Sequence, residues 1–334
     1  MNISNIKGAR FWIPVTVLSV AVFLGLLWLE MRPQSTLCQL ASEGEIQLLK
    51  KQISSGADLN TPNKEGLPLL ACAAQQGQLD AVAVLLEAGA DVDQPSVDGS
   101  TPLFYALGQR EPDVIVALLD AGADPHAMNN RGRSPFYAAV ERNHPAVLLF
   151  LARGVEPDEQ AIPSGGGYIF CAAQSGCLPV LSKLLEGGAD ANQVSGSGIS
   201  PLNYAIHYGR IDAAQLLIEH GADVNAFDRR QSTPLHQAVR TGNAAMIPVL
   251  VEAGADLEAR DKDGYTPLLM AAQMGRLDDL RELTNLGADI DAEDRRGRLA
   301  EWLAPSGHRE EIYKFLMERR RRNRTQNQDM PNDF

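Results

Sequence analysis

Six histidines and four cysteines are the side chains best able to hold a metal or act as nucleophiles, and their spacing supports neither. His126, His144, His207, His220, His236 and His308 form no H-E-x-x-H or other ligand pattern. Cys38, Cys72, Cys171 and Cys177 are too few and too scattered for a disulfide framework or a zinc site. They are expected to be small buried hydrophobes, and Cys171 with a distant histidine is not a catalytic pair. The stretch Pro163-Ser164-Gly165-Gly166-Gly167 could cradle a phosphate on main-chain N–H groups. No Gly-Lys-Ser/Thr follows it and no lysine lies near, so it reads as a weakly specified turn. Asp91, Asp124, Asp223 and Asp256 each follow Gly-Ala. A carboxylate recurring at one position is expected to accept from a turn backbone rather than to move protons. No enzyme, cofactor or metal site is expected.

The elements that would position these residues repeat along the chain. Thr233 suits a helix N-cap, where its hydroxyl can accept from an orphan N–H. Pro234 suits the first helical position, where a missing N–H costs nothing. An apolar run reaches Val239 and Gly242 breaks it. A second helix, roughly 244–252, presents Ile247, Leu250 and Val251 at helical spacing. Gly254 closes it in the left-handed conformation that glycine adopts cheaply. Neither helix is long enough to be stable alone in water, so the unit needs neighbours.

The neighbours are written in the same register. Gly-Ala-Asp begins at Gly56, Gly89, Gly122, Gly188, Gly221, Gly254 and Gly287, at spacings of 33 apart from one doubled gap. A degenerate copy, Gly154-Val155-Glu156, fills that gap about one residue out of phase. The helix start recurs as Thr101-Pro102-Leu103, Ser134-Pro135-Phe136, Ser200-Pro201-Leu202, Thr233-Pro234-Leu235 and Thr266-Pro267-Leu268. A 33-residue period bounded by Thr-Pro-Leu-His and Gly-Ala-Asp resembles the ankyrin repeat. The resemblance covers about residues 36–320 and implies an all-α repeat solenoid of helix-turn-helix units with β-hairpin or loop fingers. It also implies that the imidazole of His236 ties neighbouring hairpins together. About nine units are expected within residues 36–322, with polar caps at both ends. The fifth unit, with Tyr168 where proline is expected, should be the least stable part of the stack, across residues 154–170.

Residues 1–10 carry Lys7 and Arg10, and Phe11–Leu29 (FWIPVTVLSVAVFLGLLWL) carries no charge. As a helix its length is about 28 Å, close to one hydrocarbon core. Trp12 and Trp28 stand at its ends, where indoles favour the membrane interface. Glu-Met-Arg-Pro-Gln after it is a poor cleavage site, so the span is read as an uncleaved single-pass anchor, preferred to a cleaved signal or a buried helix. Residues 30–35 form a linker. Lys7, Arg10 and the amino terminus outweigh Arg32 and lean towards extracytoplasmic repeats, periplasmic in a bacterium. Residues 323–334 read as a disordered basic and polar tail. A net charge of −12 and pI near 5.0 argue against nucleic acid as a general partner.

In an ankyrin-like chain the binding surface is implied to lie on the fingertips and first helices, along a concave face. The turn glycine falls at 66, 99, 132, 165, 198, 264 and 297, with Gln231 in its place once. Four residues earlier stand Pro62, Pro95, Met128, Ala161, Val194, Phe227, Arg260 and Glu293, and the first six are apolar. Ile199 and Tyr265 follow the turn glycine, and His207, Tyr208 and Arg240 end first helices. Val194, Ile199, His207, Tyr208, Phe227, Arg229, Arg230, Arg240 and Tyr265 are therefore the candidate protein-binding residues, because aromatics with arginines anchor interfaces. The function implied is a membrane-anchored protein–protein interaction module, a scaffold held at a surface by Phe11–Leu29. A toxin-neutralising, immunity-like or enzyme-protecting binder is the alternative. An enzyme that used the repeats for recruitment would need a catalytic domain, and no segment remains for one.

Overall fold

The computed structural model describes residues 35–108, 112–157 and 167–328. The expected membrane span, Ala161 and residues 163–166 of the glycine-rich turn lie outside the described residues. All regular structure among the described residues is helical, with no strand, and no helix there is long and apolar enough to cross a membrane.

The chain divides into two compact units, up to Asp124 and from Pro125 onward. The first holds three helix pairs: α1 (Ser35–Glu43) with α2 (Ile46–Ser54), α3 (Leu69–Gln75) with α4 (Leu79–Glu87), and α5 (Pro102–Ala106) with α6 (Asp113–Asp120). The second holds six pairs. These are α7 (Pro135–Glu141) and α8 (Ala146–Ala152), α9 (Tyr168–Ser175) and α10 (Leu178–Glu186), and α11 (Pro201–His207) and α12 (Ile211–Glu219). They continue as α13 (Pro234–Thr241) and α14 (Met246–Glu252), α15 (Pro267–Gln273) and α16 (Leu277–Asn285), and α17 (Ala300–Leu303) and α18 (Arg309–Gln328). Within each unit the first helix of a pair packs on the first helices before and after it, as α11 does on α9 and α13.

Local chemistry sets these boundaries. Thr233 Oγ1 accepts from His236 N, Pro234 takes the first position of α13, and Gly242 ends it at φ +74°. The second helix starts at Met246, later than its apolar pattern suggests, because Ala245 is still only a turn. The first helices bury small residues on almost every side. Leu69 to Ala74 are all buried in α3, and Pro267 to Ala272 in α15. Such faces let neighbouring helices approach closely, and their burial supplies the driving force that helices this short lack alone.

The fingers are turns too short to register as strands. Asp228 N donates to Ser232 O (3.0 Å), while Asp228 Oδ1 accepts from Arg230 N (2.7 Å) and Ser232 N (2.9 Å). Asp261 and Asp294 repeat the arrangement one and two periods later. A second ladder ties one finger to the next. Asp223 Oδ1 accepts from Asn225 N (2.8 Å), and Asn225 Oδ1 accepts from Asp256 N (2.8 Å), the Gly-Ala-Asp aspartate of the following unit. Asn192 to Asp223 and Glu258 to Asp289 do the same at 2.7 and 2.8 Å.

Two expectations change. Cys38 and Cys72 are joined by a disulfide, with Cα atoms 5.5 Å apart. Their separation of 34 is one more than the repeat, so stacking α1 on α3 brings them side by side. Counting cysteines missed what placing them on the period would have found. Cys171 and Cys177 stay buried and free, and burial pushes the Cys171 thiol up to about 12. The last helix runs to Gln328, beyond the boundary expected at 322, because Arg, Gln and Asn carry no helix breaker before Pro331. It is held by Arg320, which donates to Glu301 Oε1 (2.8 Å) and Asp291 Oδ1 (2.6 Å). Tyr168 replaces the usual proline with a fully buried ring, 5.4 Å from Phe136 centroid to centroid.

Candidate functional site

The finger around residues 195–199, α11, the finger around residues 228–232 and α13 enclose a groove of about 510 Å³. Ile199, His207, Tyr208, Arg229, Arg230 and Arg240 line it, together with Asn203, Tyr204, Asp228 and Gln237. A second hollow of about 330 Å³ shares Gly198 and Asn203 with it and carries Val194 and Phe227. Six of the nine sequence-selected residues thus line the groove, and Val194 and Phe227 line the hollow beside it. Tyr265 lines neither: its hydroxyl accepts from Arg298 (3.1 Å), and Tyr265 O receives His236 Nε2 (2.9 Å).

A connected set of side chains forms one side of the groove. Arg240 Nη2 donates to Ser232 Oγ and Nη1 to Gln237 Oε1, both at 2.8 Å. Gln237 Nε2 reaches His207 Nδ1 at 3.2 Å, and the His207 ring meets Tyr208 edge-on with centroids 4.9 Å apart. Arg240 is thereby oriented while keeping N–H donors to spare. On the finger side, Arg229 Nη2 donates to Gly196 O (2.9 Å). A Cβ at Gly198 would stand 2.8 Å from Arg229 Nε, so glycine there lets the guanidinium lie across the turn.

Charge and exposure make the groove unlike its surroundings. The chain carries 42 acidic residues against 30 lysines and arginines. Here three arginines converge, and none makes an ion pair among the described residues. Asp228 is the one carboxylate lining this groove, and its Oδ1 is occupied by two backbone N–H groups. Val194 is 65% exposed, Phe227 63% and Tyr208 45%, large apolar areas for neighbouring fingers to leave open.

The residue that sequence reasoning missed is Asn203. It is 8% exposed, stands in the wall common to both hollows, and its Oδ1 has no hydrogen-bond partner. The available signal was positional. Asn203 falls where His236 and Leu269 fall in the next two units, and its side chain makes no counterpart of the tie from His236 Nε2 to the next finger. No cluster of three or more His, Cys, Asp or Glu suited to a metal is present among the described residues.

A family model described as ankyrin repeats, in three copies, matches residues 37–129, 169–261 and 228–294, more than half of the chain. No curated protein matches it.

Proposed function

The chain belongs to the ankyrin-repeat family, and on that premise we propose that it is a membrane-anchored binding protein that holds a protein partner in the groove between α11 and α13. The observation that carries this reading is the convergence of Ile199, His207, Tyr208, Arg229, Arg230 and Arg240 around one open volume. Variable residues set at repeat spacing become neighbours when the units stack, and exposed aromatics with arginines are the usual anchors of an interface. The family is typically non-enzymatic, and binding needs no group beyond those described.

The anchor would be Phe11–Leu29, on the strength of its uncharged length and terminal tryptophans. Extracytoplasmic repeats are supported by the charge bias around that span and by the Cys38–Cys72 disulfide, since such bonds persist in oxidising compartments. A tether keeps the groove at high local concentration near a membrane-associated partner.

The test is capture of partners from detergent-solubilised membranes by the full chain and by a Tyr208→Ser/Phe227→Ser variant. A partner lost by the variant, with its unfolding midpoint unchanged, supports the groove; equal retention rejects it. Protease added to cells stripped of any outer membrane, with the inner membrane intact, should remove the repeats, and their survival would reverse the proposed orientation.

A further inference from the structure

Resting on the groove reading above, we infer that the occupant is an extended acidic segment of a partner protein, whose carboxylate is taken by Arg229, Arg230 and Arg240. Guanidinium groups suit this role because their planar donors match a carboxylate in pairs. Arg240 is already aimed by Gln237 and Ser232, so little freedom is lost when it engages. Arg230 makes no side-chain hydrogen bond or ion pair among the described residues, and it is exposed on the finger. In a chain of net charge −12 a local group of three arginines without ion-pair partners among the described residues, against the single carboxylate of Asp228, is complementary to an anion.

A small anion would leave much of the site uncovered. The hollow carrying Val194 and Phe227 adjoins the groove, with Gly198 and Asn203 lining both. An occupant that satisfies the arginines and also covers Phe227, Val194 and Tyr208 must pair an acidic residue with apolar neighbours along an extended chain.

The experiment is selection of octapeptides from a randomised display library on the immobilised full chain in detergent. Enriched peptides should share Asp or Glu at one position beside a large apolar residue. Arg230→Gln and Arg240→Gln should each weaken them at least tenfold, and raising salt should weaken them further. Arg230 is exposed, so loss of binding in that variant cannot be laid to misfolding. Peptides that need Tyr208 and Phe227 but carry no acid, or ignore both arginines, would overturn the acidic inference and leave the groove reading standing. No enrichment, or peptides indifferent to Tyr208→Ser, Phe227→Ser and both arginine variants, would remove both. Arginine-dependent binding to phosphatidylglycerol vesicles that the selected peptides fail to displace would assign the cations to lipid and overturn the inference.

Discussion

His236 Nε2 lies 2.9 Å from the carbonyl oxygen of Tyr265, while its Nδ1 lies 2.9 Å from Thr233 Oγ1. One imidazole therefore caps its own helix and fastens the next finger. Burial holds its pKa below the ordinary histidine value, against a smaller opposing contribution from the Tyr265 carbonyl.

Replacing His236 with Leu, the residue type that follows one period later at Leu269, should lower stability by about 2 kcal/mol at neutral pH. Thr233 and Tyr265 O would lose their partner. A base whose folded pKa is depressed gives stability that is complete above its unfolded value, near 6.5, and is lost as pH falls below it. The wild type should thus weaken from pH 7.5 to pH 5.5 more than His236→Leu does. Urea unfolding at both pH values checks this, and parallel losses in the two proteins would refute the imidazole's role.

Gln231 occupies the finger position where 99, 132, 198, 264 and 297 are glycine, and it sits at φ +55°. A side chain in the left-handed region costs about 1 kcal/mol, partly offset by the greater entropy that glycine has when unfolded. Gln231→Gly should therefore raise the thermal midpoint slightly, with a net gain under about 1 kcal/mol. A fall would show that Gln231 makes contacts worth more than the strain.

Much of this architecture was legible because it is periodic. Thr233, Pro234, Gly242 and Gly254 each act locally, and repetition at 33 residues removed the usual ambiguity over boundaries and neighbours. The groove was legible for the same reason: Val194 and Phe227 share a register position, so stacking had to bring them together. Tyr265 shares its register position with Ile199 but lines neither hollow, and Arg298 donates to its hydroxyl. Asn203 was missed because an asparagine in a first helix is ordinary until set beside His236. Cys38 was missed because its separation from Cys72 exceeds the period by one residue.

That disulfide closes a loop of 34 residues across the first two helix pairs. Removing it by a Cys38→Ser/Cys72→Ser double substitution should lower stability by about 2–4 kcal/mol, chiefly by freeing the unfolded chain. The change should appear in calorimetry as a shift of the unit up to Asp124, with reductant reproducing it in the wild type. Reductant that leaves the wild-type trace unchanged would argue against the bond.

Asp279 is buried in the first turn of α16, 2% exposed, with Oδ2 unpartnered. Desolvation pushes its pKa up to about 6, against the pull of Arg276. The folded state thus holds this proton at pH values where the unfolded chain, near 3.9, has released it. The sign follows: Asp279 leaves stability highest below about pH 4, erodes it as pH rises through about 6, and has no further effect above that. Asp279→Asn removes the ionisation, and should stabilise the protein at pH 7.5 by about 1–2 kcal/mol while changing little at pH 4. Unfolding of both proteins at pH 4, 5, 6 and 7.5 gives the difference directly, cancelling the slopes from Asp93 and Glu258, which burial also raises. A gain of equal size at every pH would mean that the asparagine merely packs better, and that Asp279 carries no charge penalty.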